Sequence, residues 1–155
     1  MSKLYCFDTS TFIRAWYEAY APDVVESFWE HLGKAIKAGT IIAPDEVLRE
    51  TSKRSNDLHA WLKQHEQCFV EIDDELQEAV SSLLQRFPLL AKNRKGASSA
   101  DAWVIALAQI RNATVVSEES PLDSEKKPKI PGVCRQVDVS CTNLLEFMRS
   151  AKWKL

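Results

Sequence analysis

The chain predicts an α/β protein with a mostly parallel central sheet, and three observations point there. Short apolar runs at Leu4–Phe7, Thr40–Ala43 and Ala113–Val116 have the length and flanks of buried strands. Helical stretches separate these runs, so strands and helices alternate. The stretch Ser98–Ser120 forms a helix–turn–strand unit with an acid, Asp101, at the helix start and two acids, Glu118 and Glu119, just past the strand. In a parallel sheet those two places share one edge, the edge where ligands bind.

In chain order, Leu4–Phe7 is the first strand, and Asp8 stands at its C-terminal end, followed by Thr9, Ser10 and Thr11. Phe12–Tyr20 is aromatic-rich and helical. Pro22 opens the next helix, where its missing N–H costs nothing. Val24, Val25, Phe28, Trp29, Leu32 and Ile36 make that helix's apolar stripe, and Gly39 ends it. Thr40–Ala43 is the second strand. Pro44 starts a helix with Asp45 and Glu46 in its first turn and Glu50 further along. Glu46 reads as a helix-start charge. Leu58, Trp61 and Leu62 mark a short helix, and Cys68–Ile72 an extended segment. Asp74 with Gln77 resembles a capping box for a helix over Glu75–Arg86, closed by Pro88. Lys92–Ala97 is a basic loop. Ser98 or Ser99 then caps a helix apolar nearly all round, hence buried, with Asn112 as its stop. Beyond the strand at Ala113–Val116, a Lys/Pro-rich loop runs to Gly132. Val133–Val139 reads as a broken strand, and Thr142–Trp153 as a last amphipathic helix.

No internal repeat or linker divides the 155 residues, so residues 1–155 are expected to form a single domain. No apolar run is long enough to span a membrane, and Met1–Asp8 lacks a secretory pattern; the expected compartment is the cytoplasm. Four cysteines, at 6, 68, 134 and 141, form no C-x-x-C pair and share no ligand spacing with the three histidines, which argues for reduced thiols over a zinc site. A net charge of −2 argues against a strongly electrostatic nucleic-acid binder. Basic clusters nonetheless punctuate the loops: Lys53-Arg54, Lys92 with Arg94 and Lys95, and Lys126-Lys127 with Lys129. Taken singly each is a solvated surface; together they can flank an acidic site and hold a phosphate backbone. The tryptophans Trp16, Trp29, Trp61 and Trp103 read as core.

Asp8, Glu50, Asp101 and Glu119 fall at equivalent addresses relative to the strand ends, with Glu118 as an alternative for the last. Loop acids are ordinarily solvated, and the shared sheet edge sets these apart. Gathered carboxylates repel, which raises their pKa values or demands a cation. Oxygen ligands suit Mg²⁺ or Mn²⁺, and such a site can activate water and stabilise charge on a phosphate. Ser10 and Ser117 stand beside these acids; their bland role is to satisfy backbone groups at strand ends.

The runs F-D-T-S-T-F-I, I-I-A-P-D-E-V-L-R-E, A-D-A-W-V-I-A-L-A and V-V-S-E-E come in the order of the PIN domain, a metal-dependent nuclease fold, and the resemblance spans nearly the whole chain. It looks closest to VapC-like toxins and to a bacterial PIN-like family with a C-terminal signature similar to I-P-G-V-C, Ile130–Cys134. The resemblance implies a three-layer sandwich, mostly parallel sheet flanked by helices. It implies catalytic and metal-binding roles for Asp8, Glu50, Asp101 and Glu119, and pairs Ser10 and Ser117 with the first and last acids as substrate-side hydroxyls. Glu119 departs from a position that is often Asp. The implied activity is an Mg²⁺- or Mn²⁺-dependent endoribonuclease, the toxin of a type II toxin–antitoxin pair, with Lys92, Arg94 and Lys95 on the RNA. A cognate antitoxin and a homodimer are the implied partners. The rival readings are a non-catalytic PIN-like module that binds RNA or protein, and a phosphatase of the haloacid dehalogenase type, which expects a second Asp where Ser10 stands.

Overall fold

The computed structural model describes residues 3–91, 99–119 and 128–155. Five strands, all paired in parallel, form one sheet: β1 (Tyr5–Phe7), β2 (Ile41–Pro44), β3 (Phe69–Val70), β4 (Thr114–Val116) and β5 (Cys141–Thr142), in the order β3-β2-β1-β4-β5. Eight α-helices lie among the described residues: α1 (Thr9–Arg14), α2 (Glu26–Lys37), α3 (Asp45–Ser52), α4 (Asn56–Lys63), α5 (Asp74–Arg86), α6 (Asp101–Arg111), α7 (Ile130–Gln136) and α8 (Leu144–Ala151). The sheet is flanked by helices on both faces, as the sequence pattern predicts.

Side-chain alternation along β1 assigns the faces. Cys6 points to α6, where its thiol meets the Val104 carbonyl at 3.6 Å. Tyr5 and Phe7 point the other way, both edge-on to Phe147 of α8 at 4.7 and 5.1 Å, and Phe7 also meets Phe12 of α1. Phe28 of α2 and Trp153 continue this aromatic layer. The other face belongs to α6, which contacts β1, β2 and β4 and packs against α5. Val104, Ile105, Ala106, Leu107 and Ala108 are all buried, because α6 has sheet on one side and helices on the other. Asn112 ends it in the left-handed region, φ 52°, as an Asn stop should. Helix α2 ends the same way: Gly39 at φ +80° lets its own N–H reach the Ile36 carbonyl and the Thr40 N–H reach Ala35.

Several boundaries differ from the sequence expectation. The first helix starts at Thr9, directly after Asp8, and continues as a π-helical turn over Ala15–Ala19, closed by the Tyr20 N–H on the Ala15 carbonyl. Pro22 does not open a helix: Val24 and Val25 both donate to the Ala21 carbonyl in a turn, and α2 begins at Glu26. Val24, expected on the apolar stripe, is therefore 77% exposed. Asp73 rather than Asp74 caps α5, accepting the Leu76 N–H at 2.8 Å. Of the expected loop to Gly132, residues 121–127 lie outside the described residues. Helix α7 takes its last residues, 130–132, and the first part of the expected strand, 133–136. Pro131 sits in its first turn, where no N–H is needed, and burial of Val133 and Cys134 outweighs the strand preference of the valines. The real strand, β5, takes Cys141 and Thr142, so the last helix begins later, at Leu144, capped by Asn143.

Candidate active site

The chain leaves β1 for β2 and β3 on one side, then returns to lay β4 and β5 on the other. The crevice beyond the C-terminal ends of β1 and β4 is thus the topological switch point, the customary ligand site of an open parallel sheet. Asp8 follows β1 and Ser117–Glu119 follow β4. The ladder runs on between them, with the Asp8 N–H on the Val116 carbonyl at 3.0 Å.

Asp8 is 2% exposed. Its Oδ2 accepts two hydroxyls, Ser10 Oγ at 2.5 Å and Ser117 Oγ at 3.1 Å. Each serine is fixed from behind: the Glu118 N–H donates to Ser10 and the Glu119 N–H to Ser117, both at 3.1 Å. The two serines therefore clamp the Asp8 carboxylate to the segment after β4. Burial pushes the Asp8 carboxyl well above its ordinary range, and the charges of Asp101, Glu119 and Glu50 push the same way against the Ser10 hydrogen bond.

Glu50 comes from α3. Its Oε2 accepts the Ala100 N–H at 3.0 Å, and its Oε1 faces the Arg54 guanidinium at 3.9 Å. Burial raises its pKa; the Ala100 donor opposes this and Asp101 adds to it. The buried Thr9 hydroxyl steadies the Glu50 charge from nearby but lies outside hydrogen-bonding geometry among the described residues. Asp101 opens α6, where the helix N-terminus favours its charge, and is 7% exposed; its N–H donates to Ser99 Oγ at 3.1 Å.

The adjacent acids after β4 diverge. Glu119 bears on Asp8, and its Oε2 also accepts the Ile130 N–H at the start of α7, at 2.8 Å. Glu118 turns away: Oε1 accepts the Leu144 N–H of α8 at 3.2 Å and Oε2 faces Arg14 at 3.6 Å. The four acids singled out from sequence thus share one crevice, while Lys92, Arg94 and Lys95 lie outside the described residues. Sequence reasoning missed Thr9 and Arg14. Arg14 comes six residues after Asp8 with no motif to mark it, and only the fold pairs it with Glu118.

Among the described residues, no three acidic, thiol or imidazole groups stand close enough to enclose an ion as they are now placed. The donor chemistry nevertheless fits a hard divalent cation: every candidate ligand atom is a carboxylate oxygen, and Asp8 is buried under the repulsion of three neighbouring acids, a field that a cation would cancel.

A family model described as "Domain of unknown function (DUF4411)" matches residues 5–155. VapBC2 from Rickettsia felis, solved bound to a DNA fragment from their promoter, is similar in structure: TM-score 0.57, 17% identity, covering 90% of this chain and 98% of that one. PAE2754 from Pyrobaculum aerophilum aligns with a TM-score of 0.42 at 16% identity, over 89% of this chain and 97% of that one. No curated protein matches the sequence. At such identities the likeness is one of fold. The match over residues 5–155 and the all-parallel five-stranded sheet lead to one statement: the chain belongs to the family described as Domain of unknown function (DUF4411), and its fold is PIN-like.

Proposed function

We propose that this chain is a metal-dependent endoribonuclease, the toxin of a toxin–antitoxin pair. The observation that carries the reading is the buried Asp8 carboxylate at the switch-point crevice, with Asp101, Glu119 and Glu50 around it. Asp8, Glu50, Asp101 and Glu119 would hold Mg²⁺ or Mn²⁺, which when bound lowers the pKa of water and offsets charge on a phosphodiester. The protein's own part is positioning. Ser10 and Ser117 both donate to Oδ2 of Asp8 and hold its carboxylate in place. The Ala100 and Ile130 N–H groups orient Glu50 and Glu119. Arg54 brings positive charge beside Glu50. The phosphatase reading is weakened by Ser10, whose hydroxyl is committed to Asp8 where a second aspartate would be needed. An antitoxin that covers the acidic crevice, and a homodimer, complete the proposal by family resemblance.

The test is cleavage of total RNA with Mg²⁺ or Mn²⁺, repeated in EDTA and with Asp101→Asn. Cleavage should need metal and vanish in the variant. Activity that persists through exhaustive chelation rules out the metal reading. If wild type and variant bind RNA alike and neither cleaves, the chain is a non-catalytic module.

Lys92, Arg94 and Lys95 precede α6 in sequence and are proposed to grip RNA phosphates. Replacing all three with Ala should weaken RNA binding and flatten its dependence on log salt by about 0.7 for each phosphate no longer neutralised. An unchanged salt slope in a binding titration returns the cluster to ordinary solvated surface.

A further inference from the structure

All four cysteines are free, and Cys6 lies near both Cys68 and Cys134. Cys134 and Cys141 are the pair whose thiols influence each other most strongly, across the contact between α7 and β5. The backbone enforces this contact. After α7 the Val137 and Val139 N–H groups both return to the Cys134 carbonyl, at 3.2 and 2.9 Å, and Asp138 turns the chain at φ 57°. Cys141 then enters β5 opposite Val115, with α7 packed on that strand. Cys134 is fully buried; Cys141 is half-buried and reachable from solvent.

We propose that Cys134 and Cys141 are a redox modification site, forming a reversible disulfide that fixes Glu119 to α7. The oxidant is a peroxide. The Cys141 thiol gives up its hydrogen to become a sulfenic acid as the peroxide O–O bond breaks and one water leaves. The Cys134 sulfur then attacks the Cys141 sulfur, the S–S bond forms and a second water leaves. A dithiol reductant reverses it. Cys141 is the first-attacked sulfur because it is half-buried, whereas Cys134 is fully enclosed and meets only the oxidised Cys141.

The link to the crevice runs along α7. Ile130, one turn before Cys134, donates the N–H that holds Glu119 Oε2 at 2.8 Å. An S–S bond is about 2.05 Å long, well inside the contact distance of two unbonded sulfurs, so its formation draws α7 toward β5. Glu119 is then held on the helix terminus and is less available to a cation. This consequence rests on the metal-site reading above; disulfide formation does not.

Peptide mapping tests the bond on the intact chain. Trypsin cuts after Lys129 and Arg135, so Cys134 and Cys141 leave on separate peptides, 130–135 and 136–149. After treatment with hydrogen peroxide, these should appear as one linked species that a dithiol separates, with Cys6 and Cys68 still free. The oxidised protein should melt about 5 °C higher, as a short closed loop predicts. Cys141→Ser should show neither change. Free or over-oxidised Cys141 without the linked pair overturns the proposal. Thermal melts across a Mn²⁺ titration test the coupling: oxidation should raise the Mn²⁺ concentration for half-maximal stabilisation about tenfold, the scale on which outer-shell partners tune metal affinity. A linked pair with unchanged Mn²⁺ response overturns the coupling to Glu119. No Mn²⁺ stabilisation even in the reduced protein overturns the metal site and leaves the disulfide standing.

Discussion

Asp8→Asn is expected to melt at or above the wild type in EDTA, to gain almost nothing from Mn²⁺, and to cleave RNA about 10³-fold more slowly, the upper scale for losing one preorganised electrostatic group. The substitution keeps the shape and the local hydrogen bonds. Asn can place its carbonyl oxygen where Oδ2 now accepts Ser10 and Ser117. What it removes is a buried charge that faces Asp101, Glu119 and Glu50. The wild type should recover with metal, because a cation that binds only the folded state adds about 2.7 kcal/mol at a hundred times its Kd.

The pH dependence has a definite sign. Burial and the neighbouring acids raise the Asp8 pKa in the folded state. Below the unfolded value, about 3.9, both states hold the proton and the contribution of Asp8 to stability is fully present. As pH rises past that value the unfolded chain releases its proton first, so the wild type loses stability until the raised folded pKa is passed. In EDTA the variant should therefore gain on the wild type as pH climbs from about 4 to 8, and the gap should close on acidification. Paired thermal melts over that range check it. A gap that widens toward acid, or equal gains from Mn²⁺ in the two proteins, means that Asp8 is neither the strained carboxylate nor a ligand.

The sequence makes some of this legible because certain signals survive without tertiary context. The runs at Leu4–Phe7 and Ala113–Val116 are apolar on both faces, which only a strand buried between helical layers can use. Each acid's address relative to a strand end follows from that. Other features depend on contacts that no local window contains. The I-P-G-V-C segment has the valine and cysteine of a strand, yet its helix is started by a carboxylate eleven residues earlier, Glu119 on the Ile130 N–H. The strands β3 and β5 have two residues each, too few to show a period. Pro22 carries a helix-start signal that the Ala21 turn overrides, with Trp29 Nε1 holding the Tyr20 carbonyl at 2.6 Å. Likewise nothing in the spacing of Ser10 and Ser117 says that both hydroxyls end on the same oxygen of Asp8.

Glu118 and Glu119, adjacent and chemically alike, should respond in opposite ways, and the pair isolates the crevice from the scaffold around it. Glu119→Gln should slow cleavage about 10²-fold and leave the fold intact. Gln still offers an oxygen to the Ile130 N–H, and loss of the charge relieves Asp8. In EDTA the melt should stay level or rise, and the Mn²⁺ gain should shrink. Glu118→Gln should leave cleavage within about twofold, because what it gives up is an ion pair with the half-exposed Arg14, worth about 0–1 kcal/mol. Glu118→Ala goes further and removes the acceptor for the first N–H of α8, at a cost of about 1 kcal/mol of stability with cleavage still retained. Metal-supported cleavage rates and EDTA melts of the three variants give the order directly. If Glu118→Gln is the slower enzyme, the fourth acid is Glu118. The Arg14 pair and the α8 contact would then be interactions that Glu118 breaks when it turns inward to work.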